Sequence, residues 1–414
     1  MVPNGWSKKK LTSLCDKIAV GLAISVTPYM ANSGVKLIRN QNIKRNYFNT
    51  SSVVYITDEF AAKNHSKRVY TGDVVAVRTG SNIGEACVVP PEFDGALTFT
   101  TLIARPKADK LDSDYLSTHI NSEYGVAEVQ RLMAGGGKPN LNSGELKNYT
   151  LLTPPLPEQR NIAKVLSTWD KAITTTEKLI ESSKQQKKAL MQQLLTGKKR
   201  LMNPETGKAF EGEWKYKTIN EVATRIQKKS DGEAHPILTI SSLSGFVTQE
   251  ERYSRYMAGE SVKNYILLKR GEFAYNKGNS KTYQFGCVFD LESFDTGLVP
   301  HVYVCFKLNA GLNHRYFKYL FEADYLKPQL GALVNTGVRN NGLLNIKPTE
   351  FMNTKVPVPS FGEQERIADV LHTSSENLKI LNAKLAHFKQ EKKALMQQLL
   401  TGKRRVKVDD MEAA

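Results

Sequence analysis

Few strings in this 414-residue chain have residue types that could do covalent chemistry, and each lacks a needed companion. "TPPL" (Thr153–Leu156) touches the pattern by which DNA adenine methyltransferases hold a flipped base. That pattern wants an acid or amide before Pro-Pro and an aromatic after it, and both ends are wrong here. "AGGGKPN" (Ala134–Asn140) lacks the earlier glycine and the following Ser/Thr of a phosphate loop. "ELK" (Glu145–Lys147) resembles the tail of a nuclease carboxylate motif, with no Pro-Asp partner before it. No Gly-rich strand–turn–helix for S-adenosylmethionine is visible, and the histidines show no metal spacing. Cys15, Cys87, Cys287 and Cys305 form no CxxC pair, which predicts reduced, buried thiols. The sequence therefore predicts no catalytic, metal or cofactor site on this chain.

The chemistry it does offer is recognition. Lys+Arg number 58 against 41 Asp+Glu, a net charge of +17, which favours a polyanionic partner, most often nucleic acid. Arg78, Ser81 and Asn82 follow an apolar run on a Gly-rich turn, and Lys277, Asn279 and Lys281 stand on a matching turn in the second half. Lys138 and Asn140 ("GGGKPNLN") answer Arg339 and Asn340 ("TGVRNNGLLN"). Arginine can fork onto guanine and asparagine onto adenine, while lysine mostly holds phosphate. These ten are the candidate DNA contacts. The same residues would also suit purely structural turns, with glycine and asparagine serving backbone geometry. Lys8–Lys10 and Lys228–Lys229 read as solvated or phosphate-facing charges.

Elements that could position such residues come in two copies. "KKALMQQLLTGK" fills both Lys187–Lys198 and Lys392–Lys403, and Glu158–Arg200 aligns without gaps on Glu363–Arg405. Within each copy, apolar residues recur at spacings of four and three. In the first these are Ile162, Leu166, Trp169, Ile173 and Ile180. In the second they are Ile367, Leu371, Leu378, Leu381, Leu385 and Phe388. This period of 3.5 predicts two long helices with a coiled-coil seam, each about 57 Å long. Pro157 suits a helix start, Ser360 and Glu363 have capping-box spacing, and Gly197 and Gly402 are placed as C-terminal stops. If antiparallel helices cross near Thr176 and Leu381, Trp169 lies opposite Phe388 and Ser183 opposite Ser374. Identity at Gln192, Gln193, Thr196 and Lys198 exceeds what a seam requires. It predicts a shared partner surface anchored by Met191, Leu195, Met396 and Leu400; recent duplication would also explain it.

Before each helix the sequence reads as mixed strands and helices. Tyr47–Thr57, Asp73–Arg78 and Leu97–Ile103 predict strands, and Leu111–Met133 a helix; His314–Leu330 answers that helix in the second half. The predicted fold is α/β (α+β): two similar mixed domains joined by two long antiparallel coiled-coil helices with pseudo-two-fold symmetry. The boundaries are 1–153 for the first recognition domain, 154–200 for the central helix, 201–210 for a linker with turn residues Asn203, Pro204 and Gly207, 211–355 for the second domain, 356–405 for the distal helix and 406–414 for a tail. Repeated helices with diverged domains imply one task done twice and another done in two versions.

On "PPLPEQRNIAKVLSTWDKAI" and "KKALMQQLLTGKKR" (Pro154–Ile173, Lys187–Arg200), on their second copies "VPVPSFGEQERIADVL" and "KKALMQQLLTGKRR", and on "GDVVAVRTGSNIG" and "GGGKPNLNSGELKNYTLLTPPLPEQ", the chain resembles the specificity subunit of Type I DNA restriction–modification enzymes. The resemblance covers essentially the whole chain. It implies two target-recognition domains reading the two halves of an asymmetric split site in double-stranded DNA. It also implies helices that hold two methyltransferase subunits, with restriction motor–nuclease subunits joining that core. S-adenosylmethionine is then expected on the methyltransferase, and ATP and Mg on the restriction subunit. A rival reading is a coiled-coil scaffold without sequence-specific DNA binding. No run reaches the ~18–20 apolar residues of a membrane span, and "MVPNGWSKKK" lacks the apolar core of a secretory signal, so a cytoplasmic location is expected.

Overall fold

A computed structural model of the chain describes residues 2–133, 140–253, 259–278, 280–334 and 344–407. It divides into two compact units, Met1–Glu177 with Ala383–Ala414, and Lys178–Asn382. The division falls inside both long helices, Leu156–Leu194 and Phe361–Leu399. Each unit thus takes one recognition domain, the start of one helix and the end of the other.

The two units repeat one plan. In the first, four antiparallel strands run in the order Cys15–Val20, Thr101–Pro106, Val74–Val77, Ala86–Val88. In the second, Ala223–Ile226, Val304–Leu308, Phe273–Asn276 and Cys287–Asp290 take the same order. A short edge strand ties each domain's entry to its exit: Ser7–Lys10 pairs with Thr150–Thr153, and Lys215–Thr218 with Lys355–Val358. The outer sheets differ. The first unit has a four-stranded sheet built on Val35–Ile38 and Val54–Ile56; the second has the two-stranded pairs Leu238–Ser241 with Gly245–Thr248 and Ile266–Lys269 with Thr296–Val299.

Several predicted elements are cut shorter. Tyr47–Thr57 becomes two strands, Tyr47–Phe48 and Val54–Ile56, and Leu97–Ile103 breaks at Thr100, which has φ +53°. The helix expected over 111–133 splits into Ser113–Asn121 and Glu123–Met133. Ser122 restarts it, its hydroxyl accepting from the Gly125 amide at 3.1 Å. A Cβ on Gly125 would lie 2.1 Å from the His119 carbonyl oxygen, so only glycine lets the second helix begin this close to the first. The counterpart expected over 314–330 splits into His314–Glu322 and Lys327–Leu333, around Asp324 at φ +54°.

Both cores absorb the long helices. In the first unit Leu11, Leu14, Leu102, Tyr115 and Leu116 enclose Ile162 and Leu166 from one helix and Leu399 and Leu400 from the other. In the second, Ile219, Phe273, Tyr316 and Phe317 enclose Ile367 and Leu371 together with Leu194 and Leu195. Start packs beside end, so the helices are antiparallel within each unit. Every proposed seam position is buried or half-buried: Ile162, Leu166 and Ile180, Trp169 and Ile173, Ile367 and Leu371, Leu378, Leu381, Leu385 and Phe388. The Trp169 and Phe388 rings meet edge-on at 5.6 Å, as the expected register requires.

Candidate nucleic-acid interface and helix clasp

Arg78 leaves the end of the inner strand Val74–Val77. Its Nε donates to Asn140 Oδ1 at 3.1 Å, and its carbonyl accepts from the Leu141 amide at 3.1 Å. Thr79 and Asn140 also form a β-bridge. Two sequence-predicted contacts are thus brought together, with Asn140 acting on Arg78. Ser81 and Asn82 are exposed on the same turn and hydrogen-bonded to each other at 3.2 Å. In the second unit the Lys277 carbonyl accepts from the Leu344 amide at 3.1 Å, the counterpart of the Leu141–Arg78 bond. Lys281 is exposed. Lys138, Asn279, Arg339 and Asn340 lie outside the described residues. Lys8, Lys9, Lys10, Lys228 and Lys229 are exposed, with Lys229 Nζ on Asn264 Oδ1 at 2.9 Å.

A polar group that the sequence reading missed stands beside the first turn. Asn40 Nδ2 reaches the Thr79 carbonyl at 3.5 Å, while Arg39 and Gln41 both donate to the Ser52 hydroxyl, at 3.1 and 2.9 Å. Its signal was the polar run "RNQN" between two apolar segments, which reads equally well as a solvated loop.

The long helices are fastened by one motif used twice. Glu158, 2% exposed, accepts from Trp6 Nε1 at 3.0 Å and from Arg405 Nε and Nη2 at 2.6 and 2.7 Å. Glu363, 1% exposed, accepts from Trp214 Nε1 at 3.0 Å and from Arg200 Nε and Nη2 at 2.6 and 2.8 Å. Each guanidinium also lies over its tryptophan, at 5.6 and 5.7 Å. Both oxygens of Glu363 are engaged this way. The next residue repeats too: Gln159 and Gln364, both buried, accept from the amides of Asp112 and Asn313 and donate to the Pro154 and Pro359 carbonyls. Gly197 and Gly402 have φ +71° and +67°, the left-handed stop that turns each chain toward its arginine.

This packing corrects the expected partner anchors. Met191, Leu195 and Leu400 are 8%, 1% and 1% exposed and belong to the chain's own cores, and half-buried Met396 packs on the first. The residues beside the seam face the recognition domain's α/β layer, so their identity serves internal packing. What remains outside is polar: Gln192, Gln193, Thr196 and Lys198, with Gln397, Gln398 and Lys403, are exposed.

Burial is the first cause of the shifts at the four cysteines and at His119. Desolvation pushes the four cysteine thiols up to about 12, leaving them protonated. It lowers His119 to about 4, neutral beside Tyr149 Oη at 2.7 Å. No group of His, Cys, Asp or Glu among the described residues could hold a metal. No described helix is long and apolar enough to cross a membrane.

Residues 3–185 match the family model of the Type I restriction modification DNA specificity domain. The putative type I restriction enzyme MjaX specificity subunit of Methanocaldococcus jannaschii is 23% identical, over 98% of this chain and 95% of that one. The MjaVIII specificity subunit of the same organism is 26% identical, over 87% of each. The fold is that of the S subunit of the Type-I restriction-modification system of M. genitalium, with TM-score 0.58, 14% identity and coverage of 97% and 98%. These likenesses extend through both units: over nearly its whole length the chain is similar to specificity subunits of type I restriction enzymes.

Proposed function

We propose that this chain reads DNA for a type I restriction–modification complex and catalyses nothing itself. One recognition domain reads each half of an asymmetric split site. The helices hold two methyltransferase subunits, so that the chain directs adenine methylation and, where motor–nuclease subunits join, restriction. S-adenosylmethionine then binds the methyltransferase and ATP with Mg the restriction subunit, in the cytoplasm. The observation that carries this reading is the contrast between the repeated parts and the diverged ones. Inner sheet, clasp and helix ends are built alike in both units, while the outer sheets and the turns around Arg78 and Lys277 differ. A protein using one assembly surface twice and two different reading surfaces has this pattern. Half-sites about one turn of B-DNA apart, roughly 10 bp, suit two such modules on one face.

The test is single-molecule methylome sequencing of cells carrying this chain with its methyltransferase. A split motif with unlike halves is expected, and so is no methyl transfer by the purified chain alone. Methylation by the lone chain, or an undivided motif, refutes the reading.

A further inference from the structure

We infer that Arg78 is the guanine-reading side chain of the first recognition domain, and that Asn140 is not a second reader but the positioning residue that aims it. The inference rests on the proposed function and adds a base and a geometry to it.

Arg78 differs from the four arginines of its unit that are held in ion pairs. Arg45, Arg105, Arg131 and Arg405 pair with Glu85, Asp73, Glu128 and Glu158. Arg78 has no carboxylate partner among the described residues; its hydrogen bond goes through Nε to a neutral amide oxygen. That bond has two consequences. It leaves the positive charge uncompensated, as an arginine that meets DNA requires. It also occupies the Nε side of the guanidinium, so the fork left to present is the end-on pair, Nη1 and Nη2. That pair spans O6 and N7 of guanine in the major groove.

The surroundings hold the side chain's base as well as its tip. The Arg78 carbonyl is fixed by the Leu141 amide, Thr79 is bridged to Asn140, and the Thr79 carbonyl accepts from Asn40 Nδ2. An arginine fixed at both ends loses less conformational freedom on binding. Asn140 spends its Oδ1 on Arg78, so the bidentate amide contact that asparagine makes with adenine is not open to it. The equivalent position in the second domain carries Lys277, a point charge without a fork.

The test begins with the methylated motif of the parent complex; replacing residues 6–150 identifies the first domain's half-site. The parent complex is then titrated with duplexes carrying 7-deazaguanine at each guanine of that half-site. Substitution at one guanine should weaken binding about 10-fold or more, the scale of a bidentate contact. That penalty should vanish in Arg78→Ala, whose methylome should accept other bases at this one position with the second half-site unchanged. Asn140→Ala should relax the same position in part, and Asn140→Gln, which keeps a neutral amide oxygen, should restore part of that selectivity. A merely structural Asn140 would lower methylation at all positions together and would not be rescued selectively. The inference is overturned if the half-site holds no G·C pair, if no 7-deazaguanine is felt by the parent complex, or if Arg78→Ala leaves the motif intact. The deazaguanine scan uses the unaltered protein, so poor folding of a variant does not blur it. A parent without a split motif refutes the proposed function instead.

Discussion

Removing Arg405 should destabilise the first unit more than neutralising its partner, Glu158. Glu158 is buried and its carboxylate has three donors, two of them from Arg405. Arg405→Ala leaves that carboxylate in the core with Trp6 Nε1 alone. Breaking a buried pair in this way costs about 3–5 kcal/mol. The Arg405 side chain is 46% exposed, so part of its interaction is already screened, and about 2–4 kcal/mol is expected. Glu158→Gln keeps the shape and one acceptor for Trp6, while the half-exposed guanidinium turns to water; about 1–2 kcal/mol follows, the scale of one charge-assisted hydrogen bond. In the double variant no carboxylate is stranded, so it should be no less stable than Arg405→Ala. The coupling should be about 1–3 kcal/mol, the range for residues in direct contact. The assay is urea unfolding followed by far-UV circular dichroism and tryptophan fluorescence, with the four proteins in one buffer. Additive losses, or a Glu158→Gln penalty equal to that of Arg405→Ala, would refute the reasoning. At the twin site Arg200 is only 25% exposed and Glu363 equally buried, so Arg200→Ala should cost more than Arg405→Ala.

His119 should make the first unit acid-sensitive. Burial lowers it from an ordinary 6.5 to about 4, so the unfolded chain takes up a proton first and stability falls as pH drops from 6.5 toward 4. About 3 kcal/mol is at stake over that window; His119→Gln should flatten the slope of unfolding free energy against pH between those values, and an unchanged slope would exclude His119 as its source. The register set by Trp169 and Phe388 continues to Ser183 and Ser374, both half-buried in the second unit. Cysteines there should crosslink on mild oxidation, seen as a mobility shift, whereas preferential capture of position 374 by position 180 or 187 would mean a shifted register. Exchange of Trp6–Thr150 for another family member's first domain should change one half of the methylated motif, and a change in both halves would end independent readout.

The sequence by itself determined the duplication, the helix period, the seam and the lack of catalytic strings. These are local or in-register properties, and a side chain's place on a 3.5-residue stripe follows from its neighbours in the chain. It also paired Arg78 with Lys277 by the matching turns that follow like strands. What it could not decide was what each surface meets. Met191, Leu195 and Leu400 lie beside the seam and read as free anchors, because helix periodicity says which residues share a stripe but not which layer covers it. The residues that cover Leu400 are distant in sequence, and those that cover Met191 and Leu195 are spread from Ile219 to Leu371. The helix breaks at Ser122 and Asp324 were hidden because continuous apolar spacing passes through both, and only the close approach at Gly125 and the left-handed Asp324 reveal them. The clasp needed tertiary structure most. Trp6 and Arg405 stand at opposite ends of the chain, and Glu158 reads as an ordinary first-turn acid until the fold buries it between them. Asn140 likewise looked like a reader of bases until the fold set its oxygen against Arg78, 62 residues away, because hydrogen-bond partners across a sheet are fixed by strand order and not by sequence distance.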